Sequence, residues 1–461
     1  MIRVLIACAL LATAAPVAAQ TIAITGGTVA LGDGSEPITG GTVVIRNKRI
    51  LAAGANVRIP PGAEVVDARG KWVTPGIVAG FSRLGLSEVD LSGPLTDDKA
   101  QNGPFGAAID VAPGINPSDT AISVNRADGV TRAIVAPNVA RSIFAGQGAV
   151  IDLGADMEPI TRARAFQFVE LGETGGNTAG GSRPSAYIQF RNALREAREL
   201  GRYSSSIASS GRTAESQADQ PIVRNPNESR LYGSDARRSD DVLLTRYDAV
   251  ALVPVLQGRQ ALLVHVERAR DILNVLSLKR DYPALKIVLV GATEGWLVAD
   301  KIAAANVPVI ASAVNDLPAN FEQIAATQSN VGRMRNAGVR VAIGMIDDND
   351  TRYLFNQRQY AGNLVALRDV PGASGVRWGE ALAMITSGPA EALGMGRDIG
   401  SLTPGRRADV VIWSGDPLQV SSNADAVFID GVQQPMDTRQ TKLRDRYRDL
   451  SRDVLPEAYT R

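Results

Sequence analysis

The chain of 461 residues contains one histidine and one cysteine. Zinc fingers, three-histidine zinc sites and disulfide frameworks all need several such side chains, so each is excluded. Charge of one sign is also missing. Lys and Arg number 49 against 48 Asp and Glu, for a formal net charge of +1. That balance gives no reason to expect a nucleic-acid or acidic-membrane partner. Past the N-terminus, no run is apolar enough to cross a bilayer, which takes about 20 residues. No Gly-rich phosphate loop, nucleophile elbow or dinucleotide fingerprint appears. What remains is ordinary globular composition, 45% hydrophobic and 21% charged. At roughly 150 residues per domain the length suits about three domains, or one large barrel with an added module.

Residues 1–19 read as a secretory signal peptide. Arg3 supplies the charged start, an apolar stretch follows, and Val17-Ala18-Ala19 is a small-residue cleavage site before Gln20. Cleavage would remove Cys8, leaving a cysteine-free chain suited to an oxidising, periplasmic or secreted location. Residues 20–74 look all-β, with short apolar runs at 21–29, 42–45 and 49–53 and turn signals at Asn47-Lys48, Asp33-Gly34 and Pro60-Pro61-Gly62. Residues 75–400 alternate strand-like runs (131–135, 261–265, 286–290, 307–311, 339–343) with helical patterns (269–279, 295–305, 321–337, 378–385). Such alternation predicts a parallel α/β fold. Residues 401–440 return to a β pattern at 408–413 and 426–429, so the two terminal β segments should pair into one small module. The polar stretch 203–240 reads as a loop or disordered insertion. At 441–461, Leu443, Tyr447, Leu450 and Val454 have helical spacing, which predicts an amphipathic helix docked on its own domain.

The segment Thr74-Pro75-Gly76-Ile77-Val78 resembles the barrel entry of the amidohydrolase superfamily, imidazolonepropionase-like members in particular. Gly40-Gly41-Thr42-Val43-Val44-Ile45 and Glu64-Val65-Val66-Asp67-Ala68 resemble that family's N-terminal module. Leu402-Thr403-Pro404-Gly405, Ala408-Asp409-Val410-Val411 and Ser414-Gly415-Asp416-Pro417 resemble its barrel exit. The resemblance implies a distorted (β/α)8 TIM-like barrel with a composite β-sandwich. It also implies hydrolysis of non-peptide C–N bonds in small amides and cyclic amides. Metal ions would sit at the C-terminal strand ends, held by an H-x-H pair, a bridging carboxylated Lys or Glu, two further His and an Asp.

The sequence departs from that pattern. The H-x-H positions hold Phe81 and Arg83; a ring cannot ligate zinc and a guanidinium repels it. No Lys lies between Lys99 and Lys279 to serve as a carboxylated bridge, and the strand-6 His position falls on Gly291. His265 alone keeps a ligand position, at the end of an apolar strand. The strand-8 acid falls on Ile346 by strict spacing or on Asp347 by a one-residue shift. Glu267 and Glu294 lie near the rim and could join His265 and Asp347 around one weakly held cation. Gly180-Gly181-Ser182-Arg183 reads as a helix cap by Ser182 more readily than as an anion site.

No cofactor is expected, with room at most for a single divalent cation such as zinc. The candidate catalytic residues are His265 and Asp347, and Arg83 is the candidate substrate-binding residue, able to hold a carboxylate bidentately. The ligand count favours a ligand- or partner-binding pseudoenzyme. A hydrolase with an altered or mononuclear site stays open, as does dimerisation with another copy or with a metal-competent relative.

Overall fold

A computed structural model describes residues 21–88, 96–208, 243–346 and 351–448. The signal-peptide expectation therefore falls outside the described residues, as do Asp347 and most of the polar insertion. Two eight-stranded sheets organise the chain.

The first sheet joins both ends of the chain. It contains β1 (Thr21–Val29), β2 (Ile38–Arg46), β3 (Arg49–Gly54), β4 (Glu64–Asp67) and β5 (Trp72–Pro75). Seven strands run in the order β16 (Val432–Gln433), β15 (Ala424–Ile429), β14 (Val410–Trp413), β5, β1, β2, β3, and β4 pairs with β1. Asn47 (φ 52°) and Lys48 (φ 64°) make the left-handed two-residue turn between β2 and β3.

The second sheet is the barrel. Its strands are β6 (Ile77–Ser82), β7 (Val130–Val135), β8 (Phe144–Asp152), β9 (Ile160–Glu170), β10 (Ala261–Val266), β11 (Lys286–Gly291), β12 (Val309–Ala311) and β13 (Val341–Ile343), in sequential order around the sheet. The first sheet is completed by β14 (Val410–Trp413), β15 (Ala424–Ile429) and β16 (Val432–Gln433). Antiparallel pairing of Val410 with Pro75 and of Trp413 with Trp72 ties its two halves together. The barrel closes where Met345 N donates to Phe81 O (3.2 Å). A Cβ at Gly80 would sit 2.1 Å from Ile343 O, so only glycine permits this approach of β6 and β13.

The parallel expectation needs one correction. Strand β8 runs antiparallel to both β7 and β9. Its flanking connections, 136–143 and 153–159, are too short for a parallel crossover, which takes a dozen or more residues.

Strand β10 reads as a near-continuous apolar run because both its faces are covered. Leu263, Val288, Val290, Ile310, Phe81 and Phe168 fill the barrel, while Val264, Leu289, Ile272 and Met334 pack outside it. The outer layer includes α1 (Thr120–Ala127), α2 (Glu173–Thr178), α3 (Arg183–Ala208), α4 (Arg246–Leu256), α5 (Ala269–Asp281), α6 (Ala299–Ala304), α7 (Asn330–Asn336), α8 (Gln357–Ala366), α9 (Trp378–Met384) and α10 (Ser387–Ala392).

Helix α3 continues through Ala208, into the stretch expected to be a loop. Conversely, of the helix expected over 321–337 only Asn330–Asn336 forms. Side chains capture the preceding backbone instead: Asn320 Oδ1 accepts from Glu322 N, and Asp316 Oδ1 accepts from Gln328 N. A last helix, α11 (Arg439–Tyr447), is the described part of the helix expected over 441–461, and it buries no residue. Leu450 and Val454 lie outside the described residues. Among the described residues, no helix is long and apolar enough to cross a membrane.

Where the barrel meets the terminal sheet, Arg132 of β7 is fully buried. Its guanidinium donates to Asp409 (2.8 and 3.0 Å), Asp430 (2.9 Å), Asp152 (3.2 Å) and Thr161. One cation thus holds strand β7 to the chain around β14 and β15.

Candidate functional site

The C-terminal ends of β6, β9, β10 and β11 converge on a small group of charged side chains. Barrel enzymes place their chemistry at this end. Side chains two apart on a strand face the same way. His265 therefore shares the inner face with Leu263, while Val264 and Val266 point to the helices. Glu170, the last residue of β9, is its neighbour across the parallel pair.

His265 lies between two carboxylates. Nδ1 is 2.7 Å from Glu170 Oε2, and Nε2 is 2.9 Å from Glu267 Oε1. Carboxylates only accept, so the ring must donate from both nitrogens, and that form is the imidazolium. Burial pushes the imidazole pKa down, but Glu170 first and Glu267 next reverse this and hold it well above the usual histidine value. Burial likewise raises the Glu267 pKa, and the bonds and charge from His265, with the amide of Thr293, bring it below the ordinary value. Thr293 N donates to Glu267 Oε2 at 2.8 Å.

Gly291 explains why Glu267 can reach the ring. A Cβ there would lie 2.3 Å from Glu267 Oε1, and the backbone has φ +86°. The carboxylate occupies the space that a side chain on Gly291 would need. Gly291→Ala should therefore cost about 1–3 kcal/mol through the clash and the left-handed backbone. Chemical denaturation of the variant beside the parent checks this.

Arg83 follows β6 and is 9% exposed. Its guanidinium lies 5.0 Å over the Phe81 ring, and Nε is 4.0 Å from Asp98 Oδ2. Burial holds its pKa below the usual arginine value, opposed by Asp98 and Glu170. Arg83 Nε and Nη1 and Asp98 Oδ1 are buried without a hydrogen-bond partner. Each such group costs on the order of 1–3 kcal/mol until it is met. Phe81 itself joins the apolar barrel interior, edge-on to Phe168 at 5.2 Å.

The other candidates separate from this group. Glu294 accepts from Ala269 N (3.0 Å) and Ala325 N (3.2 Å), so it braces two loops and does not join His265. Arg183 pairs with Glu322 (2.7 Å) and Asp271 (3.0 Å), so two carboxylates already face its charge at the start of α3. Ile346 packs against the barrel interior. Glu170 and Asp98 were not singled out from the sequence. The run Phe166-Gln167-Phe168-Val169-Glu170, mostly apolar and leading to an acid as residues 261–264 lead to His265, was the available signal for the first.

These donors do not fit a metal ion. Both nitrogens of His265 are committed, Gly291 has no donor, and a guanidinium stands beside Phe81. Among the described residues, no group of three or more His, Cys, Asp or Glu side chains is placed to hold a cation.

A closing barrel with its chemistry-bearing end at the strand C-termini, flanked by a sheet built from both chain ends, defines the architectural class. Residues 261–436 match the amidohydrolase family profile. The chain is 24% identical over 404 residues to the amidohydrolase tasK of Hapsidospora irregularis, covering 82% of this chain but only 38% of that longer protein. It superposes on an amidohydrolase from Thermotoga maritima MSB8 with a TM-score of 0.73 and 24% identity, over 89% of this chain and 99% of that one. An adenosine deaminase from Xanthomonas campestris with bound zinc gives a TM-score of 0.50 at 18% identity, covering 93% and 97%. Residues 261–436 thus resemble the amidohydrolase family, and the chain as a whole shares its fold with the Thermotoga maritima protein.

Proposed function

We propose that this chain is an exported, ligand-binding member of the amidohydrolase superfamily that does not make hydroxide from a metal-bound water. The state of His265 carries the reading. An imidazole donating from both nitrogens has no lone pair for a cation and no site for accepting a proton. A metal lowers the pKa of water from 15.7 to about 7, and nothing among the described side chains replaces that shift. A lone general base contributes only about 10²–10⁴-fold even when it is free to act. Export rests on the N-terminal sequence of residues 1–19.

The alternative is a hydrolase of non-peptide C–N bonds in small cyclic amides, with Asp347 assisting His265. The amidohydrolase-family match supports it, because that match begins at β10 and includes His265. Elemental analysis of the protein recovered from the cell envelope, with assays on lactams and cyclic imides, separates the two. We expect less than a tenth of an equivalent of transition metal and no chelator-sensitive turnover. One bound equivalent, with turnover lost in His265→Ala, would establish the hydrolase instead.

A further inference from the structure

The ligand class can be narrowed, an inference that rests on the ligand-binding reading above. The Arg83 and Asp98 side chains are each about nine-tenths buried, and both keep hydrogen-bonding atoms without partners. They do not satisfy one another, because each is held by something else. Arg83 lies over the Phe81 ring, and Asp98 Oδ2 accepts from Asn138 Nδ2 at 3.1 Å. The result is two unpartnered guanidinium N–H groups and an unpartnered acceptor atom, near one another and desolvated.

Charge decides what fits between them. Among the described residues, Arg83 and His265 are the cations of the strand-end group, and Asp98, Glu170 and Glu267 are its carboxylates. That end of the barrel has no excess positive charge, so a simple carboxylate would meet Arg83 but also three acidic groups. A molecule carrying both signs satisfies both orphaned partners: its carboxylate accepts from Arg83 N–H groups, and its ammonium donates to Asp98 Oδ1. The apolar ring of Phe81 against Arg83, itself edge-on to Phe168, favours an aliphatic remainder. We propose that the barrel binds a small zwitterionic amino compound between Arg83 and Asp98.

The test is isothermal titration calorimetry on the full processed chain with three probes: L-leucine, 4-methylpentanoate (no amine) and isoamylamine (no carboxylate). The expected result is binding of leucine at least tenfold tighter than of either truncated probe. Arg83→Met and Asp98→Asn should each weaken leucine by at least tenfold. The truncated probes act on the unaltered protein, so the comparison holds even if a variant misfolds. Equal affinity for 4-methylpentanoate would overturn the role of Asp98, and equal affinity for isoamylamine that of Arg83. No heat with leucine would overturn the ligand class. The ligand-binding reading itself fails differently, by bound metal and turnover.

Discussion

Arg132→Met should lower the stability of the protein by about 3–5 kcal/mol, the usual cost of removing one partner from a buried ionic cluster. The side chain of Arg132 is 0% exposed, and those of Asp409, Asp152 and Asp430 are 5%, 13% and 22% exposed. Without the guanidinium, three carboxylates face one another with little water to separate them. The loss should fall on the junction between the barrel and the terminal sheet, since Asp409 and Asp430 lie around β14 and β15 while Arg132 is on β7. Equilibrium unfolding in urea measures it. Pairing Arg132→Met with Asp409→Leu should recover part of the loss, because the worst-placed unpaired charge goes with it. A change under 1 kcal/mol for Arg132→Met would mean that the cluster contributes little to the junction.

His265→Gln is the second large effect, and its sign depends on pH. Glutamine can donate to one carboxylate but brings no positive charge, so Glu170 and Glu267 confront each other. A loss of about 3–5 kcal/mol is expected near neutral pH. The folded-state pKa of His265 is raised, so its contribution is complete below its ordinary value near 6.5 and is lost as pH rises through the folded value. The loss runs at about 1.4 kcal/mol per pH unit over that interval. The folded-state pKa of Glu267 is depressed, so its contribution is complete above its ordinary value near 4.5 and is lost as pH falls through the folded value. The stability gap between parent and variant should therefore be widest between about pH 4.5 and 6.5. Urea titrations of both proteins across pH 4 to 9 check it. A gap that widens steadily above pH 7 would contradict a protonated ring in the folded state.

Much of the fold was legible because covered parallel strands declare themselves as apolar runs. Residues 261–265 and 286–290 are strands within one residue of their expected ends. Closure of the terminal sheet was also readable, since β segments at both chain ends had no other obvious partners. The antiparallel β8 was missed because its apolar run looks the same whichever way it points; only the short connections on either side distinguish it. The helix expected over 321–337 failed because Asn320 and Asp316 compete for backbone N–H groups that a helix would need.

The site divides in the same way. The residues at the positions where the family resemblance implies metal donors, Phe81, Arg83 and Gly291, can be read one at a time. The clamp on His265 cannot, because it joins residues 95 positions apart and depends on empty space at Gly291 that Glu267 fills. A sequence shows that a side chain is absent at 291. It does not show which neighbour moves in.

The most direct test follows from the composition, because the chain has one histidine and hence one imidazole signal. Nitrogen-detected NMR of uniformly labelled protein at pH 7.5 should show both ring nitrogens protonated, each with its own hydrogen-bonded proton, and no change on adding zinc. A neutral ring with one bare nitrogen, or a shift of Nε2 or Nδ1 on titrating zinc, would show that His265 is free to act as base or ligand and would contradict the reading of this barrel as a non-hydrolytic binder.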